Sequence, residues 1–400
     1  MRVLILNAYS AGNRGDRLIV DSMTDLFAAR GCEVRISSDD PSDCGYYEAP
    51  VVPSPIPIGL ESARSSWRET GEGVLRSTLT PKQRALLSWA DICVSAGGGY
   101  LYDDGGRHSR INLVRRLAIL AAARRAGRPV VLFSQSVGPF AGRTWRAMTA
   151  AELRKVDLVI ARELQSYHLC LQMGLRRVEL CDDAAFAVAR LGRKASDQAR
   201  RGLAVTVMET LPRTVRRAVH MYRTAVVDGI AQAVKARGDM PVTVVSQVDV
   251  HSADSDLSTA ASVADDLRRK AVDAHFADLR QMSDNELAGF YGGFQVVLAT
   301  RLHSAIAALC ARTPAVAIAY LPKTTDVYSR VGLPQLVIEP RELNSTVVSQ
   351  RLIEAIDALP RLVRTLEIRL PQLQRSAGRA ADLTLSVPGT RQGSAQPRYG

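Results

Sequence analysis

The chain has 400 residues, of which 46% are hydrophobic. We therefore expect a globular protein of two domains, and a disordered or fibrous chain is excluded. Basic residues outnumber acidic ones by 52 to 40, which gives a net charge of +12 and favours anionic partners. The arginines are scattered in pairs without interleaved aromatic residues, so no nucleic-acid partner is expected.

The N-terminal half alternates predicted strands and helices. Its first apolar run is too short for a secretory leader or a membrane span, so we interpret it as a buried strand. The segment from Asp40 to about Thr80 is rich in Pro, Ser and Gly and is predicted to be an irregular insertion. The predicted strands are Val3–Asn7, Glu33–Ser37, Asp91–Ala96, Pro129–Ser136, Val156–Ala161 and Val178–Cys181, with helices from Ile19 to about Gly31, at Ile111–Ala126 and from about Arg143.

The C-terminal half repeats the alternation. Alternating strands and helices indicate parallel sheets covered on both faces, so the predicted fold class is α/β, with two Rossmann-like domains facing a cleft. We place these domains at 1–190 and 200–365, and expect a disordered tail at 387–400. The predicted elements are strands Leu203–Met208, Val242–Gln247, Val296–Thr300, Ala315–Tyr320 and Gln335–Ile338, and helices Thr214–Ala236, Ala260–Val272, Glu286–Tyr291, Ser304–Ala311 and Val347–Leu359.

The six cysteines lie at irregular spacing, and several sit inside apolar runs. This usage is typical of reduced core thiols in a cytosolic protein, and it predicts no metal site. Together with the positive charge, it predicts a cytoplasmic protein with a loose attraction to the anionic inner face of the cell membrane.

Ligands of open parallel sheets bind beyond the carboxyl ends of the strands, so residues at predicted strand ends are the first candidates. After the first strand, AGNRGD offers Gly12, Asn13 and Asp16 at the start of a helix, where backbone amides favour an anion. Asp16 as a simple helix N-cap is an equally good interpretation. The loop matches neither GxGxxG nor the P-loop, which disfavours a nicotinamide dinucleotide and excludes a P-loop nucleotide site.

Two further strand ends carry polar or glycine-rich sequence. Three glycines, Gly97, Gly98 and Gly99, place bare backbone against either a ligand or a facing loop. Gln135 and Ser136 are candidates for hydrogen bonds to sugar hydroxyls or phosphate oxygens. Arg162 ends another strand, where it is placed to bind a carboxylate or phosphate, with a surface ion pair to Glu163 as the alternative.

The strand Val296–Thr300 leads directly into Arg301 and His303. In extended geometry these two side chains project to one side, at the start of a helix that favours anions. The next strand delivers Lys323, a residue type that is rare in this chain. One arginine, one histidine and one lysine predict an anion site with a titratable group, although His303 as a helix cap is the alternative.

These motifs together resemble the polysaccharide pyruvyltransferase family. AGNRGD, AGGG, SQSVGPF, ARE, RLHSAIAALCARTP and AYLPK occur in the family's order over roughly residues 1 to 335. The resemblance implies a GT-B-like fold and an enzyme that uses phosphoenolpyruvate as co-substrate, without another cofactor. It further implies that Arg162, Arg301 and Lys323 bind the donor, that His303 and Arg301 serve catalysis, and that the N-terminal glycine loop contacts the acceptor.

The function implied is transfer of an enolpyruvyl group to two hydroxyls of a sugar in a cell-envelope polysaccharide or glycolipid, forming a pyruvate ketal. The acceptor is then a sugar, free or lipid-linked. The alternatives are a sugar-nucleotide-dependent GT-B glycosyltransferase, for which Asp249 is a candidate ribose ligand, and a non-catalytic polyanion-binding protein.

Overall fold

The computed structural model describes residues 1–39, 41, 45–56, 79–188, 200–209, 221–238, 240–250 and 254–389. Four predicted segments lie wholly or partly outside these ranges. They are most of the 40–80 insertion, the junction between the two predicted domains, the start of the helix predicted at Thr214, and all but three residues of the predicted tail. In the described part, no helix is both long and apolar enough to cross a membrane. The chain divides into two compact units.

The first unit holds the described residues of 1–10, 19–184 and 377–389. Its main sheet is parallel, in the order β3-β2-β1-β4-β6-β7-β8, with β5 paired to β6. The central strands are apolar runs buried on both faces, as parallel sheets covered by helices require. The strands are β1 Arg2–Ala8, β2 Glu33–Ser38, β3 Val51–Pro53, β4 Ile92–Ser95, β5 Gly98–Asp103, β6 Val130–Phe140, β7 Leu158–Ala161 and β8 Val178–Leu180; the helices are α1 Arg14–Ala28, α2 Pro81–Trp89, α3 Arg107–Arg125, α4 Arg143–Leu153 and α5 Leu164–Gln172.

The second unit holds residues 11–18 and the described residues of 185–376. Its main sheet is parallel in the order β13-β10-β9-β14-β15-β16, and β11 and β12 form a short antiparallel ribbon. The strands are β9 Leu203–Thr206, β10 Val242–Ser246, β11 Asp249–Val250, β12 Asp254–Ser255, β13 Ala274–Asp278, β14 Val296–Ala299, β15 Ala315–Ile318 and β16 Val337–Ile338; the helices are α6 Tyr222–Arg237, α7 Leu257–Arg269, α8 Asp284–Gly292, α9 Leu302–Cys310, α10 Pro322–Val331, α11 Ser345–Asp357 and α12 Leu359–Leu385.

Both main sheets follow the doubly wound order, in which the chain runs outward on one side of the first strand and then restarts on its other side. The predicted α/β class with parallel sheets is therefore confirmed. The restart creates a switch point between β1 and β4 in the first unit, and between β9 and β14 in the second. Loops at the carboxyl ends of these strand pairs are where such folds place ligands.

Several elements differ from the sequence prediction. The 40–80 segment, predicted to be irregular, contributes β3 to the sheet. Gly98 and Gly99 lie in β5 instead of a bare turn. No element was predicted where α2, α5, β11, β12 and β13 lie, or for α12 beyond Leu359. The other predicted strands and helices are present with shifted ends, except that the first turns predicted from Thr214 lie outside the described residues.

Candidate active site

At the switch point of the second unit, β14 is followed by Arg301 and then by His303. Strand β15 pairs with β14 in parallel, and the chain after it delivers Lys323 near the start of α10. Three of the four predicted cations thus follow two neighbouring strands of one sheet. Arg162 belongs to the first unit.

The prediction that Arg301 and His303 extend along one strand is wrong. Helix α9 already begins at Leu302, and Arg301, with φ −89° and ψ 122°, is the last non-helical residue before it. The cap position therefore belongs to Arg301, so the alternative interpretation of His303 as the helix cap is also wrong. His303 lies in the first helical turn, because the helix begins two residues earlier than the predicted start at Ser304.

Arg301 forms a bidentate ion pair with Asp256, the residue before α7. Its Nε donates to Asp256 Oδ2 at 2.9 Å, and its Nη2 donates to Oδ1 at 2.7 Å. The arginine side chain is 12% exposed and the carboxylate 1%. Such fork-to-fork pairs fix the plane of the guanidinium, so Asp256 holds the Arg301 side chain in one orientation.

A second buried group near the carboxyl end of the sheet is Tyr222 in α6. Its hydroxyl shares a 2.7 Å hydrogen bond with Thr300 Oγ1 and accepts one from the backbone amide of Met208 at 3.3 Å. Burial raises the pKa of Tyr222 to about 12, so the phenol stays protonated near neutral pH. The loops after β9 and β14 are thereby tied together beside Arg301.

The predicted acceptor residues Gly12, Asn13 and Asp16 lie in the segment 11–18, which belongs to the second unit. Arg14 N donates to Gln247 O and Asp249 N donates to Gly12 O, both at 3.1 Å, and Asn13 forms an antiparallel bridge with Val248. This segment is therefore held by main-chain hydrogen bonds to the loop that follows β10.

Gly15 lies directly against His303. A Cβ added at Gly15 would lie 2.7 Å from His303 Nδ1 and 2.8 Å from His303 Cβ, closer than real Cβ atoms come. Beside it, the buried Arg14 forms an ion pair with Asp284 of α8. Arg14 and His303 share a narrow crevice, whose other walls are formed by Leu18, Gln247, Leu279, Leu287, Tyr291 and Ala307.

The interpretation of Asp16 as the helix N-cap is wrong, because the side chain that caps this helix is that of Asn13. Asn13 Oδ1 accepts from the amides of Gly15 at 3.1 Å and Asp16 at 3.2 Å, and Asn13 Nδ2 donates to Asp16 Oδ2 at 2.9 Å. The amides that an anion would need at this helix start are therefore engaged within the protein. This geometry favours a structural role for Asn13 and Asp16.

In the first unit, Arg162 is buried in a polar network at the ends of β6 and β7. Its Nη1 donates to Asp183 Oδ2 at 2.7 Å and its Nε donates to Ser136 Oγ at 2.8 Å, while Ser136 Oγ donates to Glu163 Oε2 at 2.9 Å. The Arg162 side chain is 1% exposed. The predicted surface pair with Glu163 is therefore an interior one, at 3.4 Å, and these contacts favour a positioning role for Arg162.

The predicted glycine cluster and Gln135 also contact each other. Gln135 Nε2 donates to Gly98 O at 2.8 Å. A Cβ added at Gly97 would lie 2.9 Å from Ser134 O. The close approach that the glycines permit is thus to the neighbouring strand, which matches the alternative of a facing loop.

Sequence reasoning missed Asp256, Asp284 and Tyr222. Asp256 and Asp284 each precede or begin a helix and therefore look like ordinary capping residues. Their arginine partners lie 45 and 270 residues away along the chain, and no local pattern reports such pairing.

A model of the family described as polysaccharide pyruvyl transferase matches residues 13–322, which include Arg162, Arg301 and His303. The chain belongs to this family. A curated relative, the amylovoran biosynthesis protein AmsJ of Erwinia amylovora, is 24% identical over 86% of this chain and 89% of its own length. Family membership and this relative identify the protein as a polysaccharide pyruvyltransferase, as the sequence motifs predict.

Solved structures share the fold of this pyruvyltransferase at low sequence identity. A UDP-N-acetylglucosamine 2-epimerase from Neisseria meningitidis has a TM-score of 0.60 at 11% identity, covering 96% of this chain and 99% of its own. A putative enzyme of the same kind from Listeria monocytogenes has a TM-score of 0.62 at 10% identity, covering 96% and 94%. WaaG, a glycosyltransferase of lipopolysaccharide biosynthesis, has a TM-score of 0.55 at 13% identity, covering 96% of this chain and 100% of its own. These likenesses show a GT-B-like fold.

Proposed function

We propose that the protein transfers the enolpyruvyl unit of phosphoenolpyruvate to two hydroxyls of one sugar, forming a pyruvate ketal. The sugar belongs to a cell-envelope polysaccharide or glycolipid, and the reaction takes place in the cytoplasm or at the inner face of the membrane. The observation that supports this most is that Arg301 and His303 both lie at the switch point of the second unit, inside the segment that the family model matches.

In the proposed reaction, protonation of C3 of phosphoenolpyruvate makes C2 electrophilic. The first sugar hydroxyl forms a bond to C2, the bond from C2 to the phosphate oxygen breaks, and the second hydroxyl closes the ring. The two sugar hydroxyls release two protons. One replaces the proton that was added to C3, and the other leaves with inorganic phosphate. No oxidant or reductant is needed.

His303 is the proposed general acid and base. Imidazole is the side chain whose ordinary pKa of about 6.5 suits proton transfer in both directions near neutral pH. In the structure, Gly15 packs against the ring of His303 and holds one side of it. A fixed ring is what proton transfer to a defined carbon requires, since small misplacements reduce rates strongly.

Arg301 and Lys323 are the proposed donor-binding cations. Phosphoenolpyruvate carries a carboxylate and a phosphate on one small skeleton, so it needs more than one cationic contact. Asp256 holds the Arg301 guanidinium in one plane, which prepares it for a bidentate contact. Arg162 remains a predicted donor-binding residue through the family resemblance, although its contacts within the first unit favour positioning.

The glycosyltransferase alternative loses its candidate ribose ligand. Asp249 forms an ion pair with Arg280, which also pairs with Asp278 at 2.7 Å. This ion pair engages Asp249 Oδ2 within the protein, which leaves that oxygen less available to ribose hydroxyls.

A thermal-shift comparison of donors tests the proposal. Phosphoenolpyruvate at about 100 times its Kd should raise the melting temperature by about 5 °C or more, and UDP- and GDP-sugars should have no effect. Arg301→Ala should remove most of the shift, whereas Arg364→Ala, at a side chain that is 74% exposed, should retain it. Stabilisation by a sugar nucleotide and not by phosphoenolpyruvate would support the glycosyltransferase alternative instead.

A further inference from the structure

Helix α5 of the first unit presents two exposed leucines on its outer face. Leu164 is 44% exposed and Leu171 is 46% exposed. They are seven residues apart, which is two helical turns, so they lie on the same side, with the exposed His168 between them. The opposite face of α5 is buried, with Ser166 and Cys170 packed inside.

Single exposed hydrophobic residues are common on soluble proteins and need no explanation. Among the described residues, however, α5 is the element that carries two of the exposed large hydrophobic side chains. The others are dispersed one to a segment: Tyr46, Met221, Phe276 and Ile368. A pair in line on one short helix forms a defined apolar ridge.

Four arginines surround the C-terminal end of this ridge. Arg154 donates to Met173 O at 2.9 and 2.6 Å, and Arg146 reaches Gln172 Oε1 at 3.5 Å. Arg176 and Arg177 are exposed and lie between α5 and β8, four and five residues after the end of α5. We call Leu164, Leu171 and these four arginines the α5 surface.

The charge of these arginines is not cancelled locally. Nearby Glu152 pairs with Arg124 and Lys155, and Glu179 pairs with Arg379 at 2.8 Å. In the part of the chain that the structure describes, no carboxylate lies within ion-pair distance of the four arginines of the α5 surface. The surface therefore combines an apolar ridge with net positive charge.

We propose that the α5 surface docks on an anionic lipid membrane. Leucines that insert at the headgroup level, flanked by arginines that pair with lipid phosphates, are the combination that holds peripheral proteins at a bilayer. A bare polyanion such as a nucleic acid would use the arginines but not the leucines. The inference rests on the proposed function in one respect: a lipid-linked sugar acceptor would place the enzyme at the membrane. The test below does not measure pyruvyl transfer.

Flotation with lipid vesicles tests the docking. The wild-type protein should float with vesicles of equal parts phosphatidylcholine and phosphatidylglycerol, and not with phosphatidylcholine alone. Each arginine near an anionic surface strengthens binding about fivefold, so the double variant Arg176→Gln, Arg177→Gln should bind at least about tenfold more weakly. The double variant Leu164→Ser, Leu171→Ser should also lose binding.

Helix α12 offers matched controls, because it carries the exposed Ile368 and the exposed Arg361 and Arg364. Ile368→Ser and the double variant Arg361→Gln, Arg364→Gln should bind vesicles like the wild type. Far-UV circular dichroism and the thermal shift with phosphoenolpyruvate should be unchanged in every variant, which separates loss of docking from loss of fold or of donor binding.

Three results would overturn the proposal. One is a wild-type protein that does not float with anionic vesicles. Another is equal weakening by the α12 controls, which would mean that overall charge alone attracts the protein. The third is unchanged flotation of the leucine variant together with loss of single-stranded DNA binding in the arginine variant, which would identify the α5 surface as a polyanion site.

Discussion

Gly15 shows how a residue without a side chain can constrain the side chain of His303, the proposed general acid and base. Its Cα lies so close to His303 that a methyl group has no room, and it is the second residue of α1, which is anchored by the Arg14–Asp284 ion pair. The second glycine of AGNRGD is thus explained by close packing on an imidazole.

Gly15→Ala should displace the His303 ring and reduce kcat on the order of 100-fold. Steady-state kinetics of ketal formation measures this. The control is Gly289→Ala, at an exposed position of α8 with no atom within 4 Å of the added Cβ, where activity should be unchanged and the helix slightly more stable. Full activity of Gly15→Ala would show that the ring position is not critical.

Asp256 is the second residue whose role follows from its contact. Asp256→Ala leaves the Arg301 guanidinium 12% exposed and without its bidentate partner, so the free energy of unfolding should fall by about 3 kcal/mol. The KM for phosphoenolpyruvate should rise as well, because Arg301 loses its fixed orientation. Denaturant unfolding and donor titration measure the two effects.

Asp382→Ala provides the contrast, since Asp382 forms an ion pair with Arg30 while its own side chain is 65% exposed. Exposed ion pairs contribute about 1 kcal/mol or less to the free energy of unfolding, so this variant should retain both its stability and its affinity for the donor. Equal losses in the two variants would contradict the importance assigned to the Asp256 contact.

At the scale of elements, helices α6 and α11 of the second unit pack tightly against each other. A Cβ added at Gly229 of α6 would lie 2.6 Å from Val348 Cβ and 2.8 Å from Ser345 O. The two helices therefore pack with almost no space between their backbones at this point.

Gly229→Ala should force α6 and α11 apart and lower the free energy of unfolding by about 1–3 kcal/mol, even though alanine favours helix formation. Thermal unfolding measures the change, again with Gly289→Ala as the helix-glycine control. A variant as stable as the control would mean that the packing relaxes without cost.

Strands with continuous apolar runs, such as β1 and β14, could be predicted from the sequence because burial on both faces leaves a strong composition signal. Strand β5 could not, since Gly98 and Gly99 have the composition of a turn and are held extended only by pairing with β6. Helix α12 was missed because Pro371 lies in its interior, where proline normally ends a helix.

The residues of the candidate site also differ in whether the sequence could predict them. Arg301, His303 and Lys323 could be found because a parallel sheet brings its strand ends to one edge. Their partners Asp256 and Gly15 could not, because these contacts join segments far apart in the chain. The pattern also gave no sign that α9 starts at Leu302, since a strand end and a helix start leave the same local signal.

At the scale of the whole molecule, buried thiols link stability to pH. Burial raises the pKa of Cys93 and of Cys170 to about 12, and that of Cys181 to about 11. An unfolded thiol has a pKa of about 8.5. The folded form therefore holds protons that the unfolded form releases, and this contribution to stability is complete below about pH 8.5 and lost as the pH rises towards 11 and 12.

The first unit, which contains all three thiols, should unfold at lower denaturant concentration at about pH 10.5 than at about pH 8. Native thiols should also react with Ellman's reagent far more slowly than unfolded ones, because the side chains are buried. Replacing the three cysteines with alanine should flatten the pH dependence. A wild-type stability that stays constant over this range would contradict the burial of these groups.

The central claim is that this pyruvyltransferase forms a ketal from phosphoenolpyruvate through His303. Its most direct test is to incubate the enzyme with phosphoenolpyruvate and a panel of para-nitrophenyl glycosides, and to follow product mass and released phosphate. With the wild-type enzyme we expect a pyruvylated glycoside and one phosphate for each product, and with His303→Gln we expect neither. Undiminished product formation by His303→Gln, or transfer from a UDP-sugar in place of phosphoenolpyruvate, would contradict it.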